Sequence, residues 1–182
     1  MQLGFKILSI EYGWFKMWIG PGDVIEGSDY LGYDLPKEFL RKAWSVLQED
    51  GNEEWLYLMD EPHGEIMHIS HCAGKIHLAV YPLTKECFHL SRKEEDEKDN
   101  CRECRFRQEW KKEDFVDTLV SEFYLYENGN GRGLYETHWM PFPDEEYDKL
   151  KQLAFEMDKK APKFEKLYCI DTMCPKRLNE SY

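Results

Sequence analysis

Cys101 and Cys104 are separated by two residues in the stretch EKDNCRECRFRQEWKKED, residues 97–114. Two thiolates at that spacing have the bite of half a zinc site, or of a redox pair opening a helix after a strand. Structural zinc takes four protein ligands. The nearest second half is Cys169 and Cys174, separated by four residues and followed by Pro175, and His71 beside Cys72 is another pair. Neither repeats the spacing of Cys101 and Cys104. The run EEDEKDN ahead of the pair does not resemble a core strand. Arg102, Arg105 and Arg107 supply the positive surroundings that reactive thiols use. The pair still reads first as thiols in a charged loop. A zinc-binding or thiol-redox protein using Cys101, Cys104, Cys169 and Cys174 is the alternative.

The other reactive residues assemble less well. His68 and His77 fall in neighbouring strand-like segments and could begin a metal site if a carboxylate joined them. Cross-strand packing on a half-wet face is the simpler use for them. His71 and Cys72 are sequence neighbours, so they point apart in a strand and make no dyad. NGNGRG, residues 128–133, has the glycine content of a phosphate cradle. It follows a helix and lacks the Lys-Ser/Thr of one, so it reads as a helix terminator. Acidic pairs are too frequent for one to stand out as an acid–base couple. No catalytic residue and no cofactor is expected.

The elements that must position these residues follow from periodicity. Residues 5–10 (FKILSI) and 14–19 (WFKMWI) read as a hairpin about the turn EYG, with Phe15, Met17 and Ile19 on one face. A helix follows, with Asp34 as cap, Pro36 in the first turn and Phe39, Leu40, Ala43, Trp44 and Leu47 as its apolar stripe. Gly51 ends it. Residues 55–59, 66–70 and 75–83 read as an antiparallel meander. Residues 86–112 read as a long charged insertion. Phe115, Leu119, Phe123 and Tyr126 stripe a helix over 114–127, and a last helix starts after Pro143 with Tyr147, Leu150, Ala154 and Met157 inward. The expected fold is α+β, in the order β-β-α-β-β-β-α-α. It has an antiparallel sheet of about five strands with helices on one face. Residues 1–160 form a single domain and 161–182 a tail.

Composition bounds the function. Aromatic residues make up 15% of the chain, enough to build a core and too many for a disordered chain. The 36 acidic against 24 basic side chains give a net charge of −12, which repels nucleic acid and anionic membranes. The excess lies ahead of residue 151. No run of apolar residues is long enough to span a membrane, and the start, broken by Lys6, Glu11 and Lys16, does not read as a secretory signal. A cytoplasmic protein with reduced thiols is expected. The acid excess suits a basic protein partner.

Three short stretches carry a family likeness. Ser28, Tyr30, Leu31, Gly32 and Pro36 lead into the first helix. Asp60, Glu61, Pro62 and Gly64 form a turn, and Trp139, Pro141, Phe142 and Pro143 precede the last helix. Over residues 5–158 the chain resembles the small acidic immunity proteins found beside bacterial polymorphic toxins. That resemblance implies inhibition by binding: an acidic domain docks onto a basic toxin, frequently a nuclease, and masks its active surface. For such docking, expected exposure selects Asp29, Asp34, Asp60 and Glu61 for attraction, with Tyr33 and Trp18 as anchors. The oligomeric state is left open.

Overall fold

The computed structural model describes residues 5–19, 23–28, 33–60, 63–83 and 103–158. Three strands come first: β1 (Phe5–Glu11), β2 (Trp14–Ile19) and β3 (Asp23–Ser28). They form an antiparallel sheet in sequence order. Phe15, Met17 and Ile19 alternate inward on β2, as a period-two strand requires, and Trp14, Lys16 and Trp18 stay half-exposed on the other face. The register of β1 slips between Ile7 and Ser9. The amide of Ile7 there donates to Glu122 at 3.3 Å, so a helix side chain satisfies a strand N–H.

Helix α1 (Leu35–Gln48) follows the expected cap, with Asp34 accepting from the Lys37 amide at 3.2 Å. Its apolar stripe, Leu35, Phe39, Leu40, Ala43, Val46 and Leu47, is buried. The carbonyls at its far end are met by protein donors. Lys112 reaches the Leu47 oxygen at 2.6 Å, and a ring nitrogen of His71 lies 3.1 Å from the Glu49 oxygen. Gly51, at φ +97°, turns the chain beyond it into the next strand.

The second sheet holds β4 (Glu53–Asp60), β5 (His63–Cys72), β6 (Lys75–Pro82) and β7 (Phe106–Lys111), again antiparallel and in sequence order. Strand β3 runs beside β4, yet hydrogen-bonded ladders keep the two sheets separate. Leu56, Met67, Ile69, Leu78, Val80 and Trp110 turn to the helices and join one core with the inward residues of the first sheet. On the opposite face Tyr57, Ile66 and Leu83 make a smaller cluster with Tyr33, Trp55 and Tyr81.

Helices α2 (Lys112–Tyr124), α3 (Gly129–His138) and α4 (Asp144–Asp158) follow. Helix α2 packs on α4 and on β1, β6 and β7, while α3 packs on β1. Arg132 on α3 grips Asp144 with two bonds of 2.8 and 2.6 Å, bonds Glu136 at 2.9 Å and covers the Phe142 ring. That clamp sets the start of α4 against α3.

The α+β class holds, and three elements differ from the sequence reading. Among the described residues there are two sheets of three and four strands, not one sheet of about five. Strand β7 lies inside the stretch read as a charged insertion. Its charges, Arg107, Glu109 and Lys111, are the outward half of an alternation whose inward half is Phe106, Gln108 and Trp110. The glycine-rich 128–133 stretch, read as a helix terminator, starts α3; α2 has already ended at Tyr124, capped by Leu125. Glycine is required there, because a Cβ on Gly131 would stand 1.9 Å from the Leu125 carbonyl oxygen. Residues 86–102 of the insertion, and the tail, lie outside the described residues.

Candidate partner-binding surface

Asp34 is held by the fold itself. Besides capping α1 it accepts the indole N–H of Trp139 at 3.0 Å. Burial pushes its carboxyl above the ordinary carboxylate range, and the Trp139 bond, the Lys37 amide and the Lys37 charge work against that rise. Glu146, 4.0 Å from Lys37, adds a like charge that pushes the same way as burial. Burial, and then the charge of Asp34, raise the hydroxyl of fully buried Tyr135 well above its usual range. Asp34 thus joins α1 to the segment behind α3. Tyr33, next to it, is half-buried between the main core and the smaller cluster.

The other residues named for attraction and anchoring lie apart. Trp18 is half-exposed on β2, opposite Lys6 on one side and Val24 on the other. Asp60 closes β4, paired with His63. Asp29 and Glu61 lie outside the described residues.

The thiols and histidines each have a local setting. Cys104 is half-buried and its thiol donates to the Phe106 carbonyl at 3.0 Å. Cys101, Cys169 and Cys174 lie outside the described residues. His71 faces the core and Cys72 is exposed, as neighbours on a strand must be. His68 and His77 do share the outer face of the second sheet on adjacent strands, set diagonally. Each has its own carboxylate. His68 stacks on Trp55 at 4.3 Å and bonds Glu53 at 3.0 Å, and His77 lies 3.9 Å from Glu109. Among the described residues, no group of three or more His, Cys, Asp and Glu side chains is placed to hold a metal ion.

Much of the acidic surface is balanced. Glu38 pairs with Arg41, Glu109 with Lys75, Asp144 with Arg132, Glu145 with Lys149 and Asp148 with Lys151. The start of α2 groups three carboxylates. Glu113, Asp114 and Asp117 fall on one face of its first turns, because residues three and four apart are neighbours on a helix. Packing of α2 against α4 brings Asp158 near them. Burial raises the Asp117 carboxyl first, and Asp114, Asp158 and Glu113 raise it further by like-charge repulsion. Sequence reasoning passed over this group. The i, i+3 and i+4 spacing was visible, but the contribution from α4 needed the helix packing.

Comparison of the chain with protein-family models, with curated proteins and with solved structures found no match.

Proposed function

We propose that this chain is an immunity-type protein that binds a basic toxin domain and inhibits it by occlusion, the toxin being encoded beside it in a bacterial genome. The observation that carries this reading is the carboxylate group on α2 and α4. Burial first, and then the like charges of Asp114, Asp158 and Glu113, raise the Asp117 carboxyl above its ordinary value. A cationic surface docking there would offset the like-charge part of that rise and favour the ionised carboxylate. Long-range attraction speeds encounter, and rim charges alone do not make a tight complex. The partner therefore also needs an apolar anchor, for which the half-buried aromatics Trp18 and Tyr33 are candidates, with Asp29, Asp60 and Glu61 adding attraction. Asp34 contributes through the architecture of α1, since its carboxylate is taken by Lys37 and Trp139.

Co-expression with the neighbouring toxin tests the reading. Cells carrying both should grow, and cells carrying the toxin with an Asp114→Asn/Asp117→Asn variant should grow poorly. Growth arrest with the wild-type chain present, at matched expression, contradicts it.

A further inference from the structure

Two hairpins in this fold close with two-residue turns of the same kind. Tyr12 and Gly13 join β1 to β2, with φ of 49° and 80°; Ala73 and Gly74 join β5 to β6, with φ of 53° and 72°. Positive φ at both central residues is the primed turn that suits strand twist, and it favours Asn, Asp or Gly first. Ala73 shows that this chain builds the turn with a methyl group. A tyrosine there is not a requirement of the turn, and it adds the strain of a bulky side chain in the left-handed region.

The ring is not needed for the core either. Tyr12 is 87% exposed, far more than any other large apolar or aromatic side chain among the described residues. It is nonetheless held in place. The Gly13 amide donates to the His138 carbonyl at 3.1 Å, and the His138 ring meets the Tyr12 ring edge-on at 5.4 Å. The tip is thereby tied to the end of α3, and its neighbour Glu11 is exposed beside it. An aromatic ring presented rigidly in water, at a cost to the turn, has the character of a binding anchor: large contact area with little conformational freedom left to lose.

We propose that Tyr12 is the residue that this chain inserts into a cleft of its cationic partner, with Glu11 meeting the basic rim and the ring offering its face to an arginine or lysine. This rests on the reading of the chain as an inhibitor of a basic toxin domain, and it identifies the hairpin tip as the part that enters the cleft.

The test uses the full chain and the neighbouring toxin domain, purified in a catalytically inactive form. Binding is titrated for the wild type, Tyr12→Asn and Tyr12→Phe, and the melting temperature of each variant is measured alone. Asparagine suits the turn, so Tyr12→Asn should melt no lower than the wild type yet bind at least about tenfold more weakly. Tyr12→Phe keeps the ring and should bind within about threefold. Equal binding by Tyr12→Asn overturns the anchor and leaves the inhibitor reading standing. A lowered melting temperature of Tyr12→Asn also overturns it, by making the ring structural. No binding by the wild type overturns the inhibitor reading, and the anchor with it.

Discussion

The indole N–H of Trp139 donates to the carboxylate of Asp34 at 3.0 Å, joining the entrance of α1 to the segment that follows α3. The same oxygen accepts the Lys37 amide, so one side chain caps a helix and ties down a distant part of the chain.

Asp34→Ala should therefore cost about 2 kcal/mol, near the upper end for loss of a helix cap, because the Trp139 N–H loses its acceptor as well. Asp34→Asn keeps an oxygen for both donors and should be far milder. The pH dependence separates charge from geometry. Burial raises the Asp34 carboxyl, so in the folded state it holds its proton to higher pH than in the unfolded chain. Stability from this group falls as pH rises from its ordinary value of 3.8 through the raised one. Denaturant melts should show Asp34→Asn comparing better with the wild type at pH 7 than at pH 3. The opposite order would contradict the burial argument.

Arg132 and Asp144 give the reverse sign. The guanidinium beside it holds the Asp144 carboxyl below the usual carboxylate range. Its contribution to stability is present above 3.8, the ordinary value, and is lost as pH falls through the depressed one. Asp144→Asn should lower the melting temperature at neutral pH, and the gap to the wild type should close in strong acid. A gap that persists there would assign the effect to packing and not to the charge pair.

Gly131 and Gly133 lie on the same helix, and they should respond oppositely to alanine. A Cβ at Gly131 meets the Leu125 backbone oxygen at 1.9 Å, whereas at Gly133 nothing lies within 4 Å. Gly131→Ala should cost at least about 2 kcal/mol through forced backbone movement. Gly133→Ala should gain up to about 1 kcal/mol from helix propensity. Urea midpoints of the two variants check both.

Asp117 predicts a pH dependence of binding. A cationic partner favours the ionised form, so the complex holds the Asp117 carboxyl lower than the free protein does. Affinity should be full above the raised value and fall as acid protonates Asp117, with proton release on binding within that window. Calorimetry in buffers of different ionisation enthalpy reads this directly. Asp117→Asn should abolish the proton release.

The parts of the fold legible in the sequence are those where a single period or cap suffices. Asp34, Pro36 and the Phe39, Leu40, Ala43, Leu47 stripe defined α1, the alternation in WFKMWI assigned a face that the structure keeps, and residues 75–83 were legible as a strand of a meander. Strand β3, DVIEGS, was missed because its apolar residues are few and its pairing with β2 decides its conformation. Strand β7 was hidden by its outward charges, and α3 by its glycines, of which Gly131 is needed for close approach to the Leu125 carbonyl. The separation into two sheets depends on where ladders stop, which side-chain periodicity does not encode. Asp34 was chosen from sequence for an acidic surface, and the indole that occupies it was out of sight. The Asp117 group was half visible, on α2, and completed only by Asp158 from α4.

The most direct measurement is the affinity of the purified chain for the basic toxin domain proposed as its partner at low and high salt, for the wild type and for Asp114→Asn/Asp117→Asn. The acidic-surface account predicts tight wild-type binding that weakens with salt, and a double variant that binds less tightly with a shallower salt slope. Equal affinity and equal slope for the two proteins, or no binding by the wild type at low salt, would contradict it.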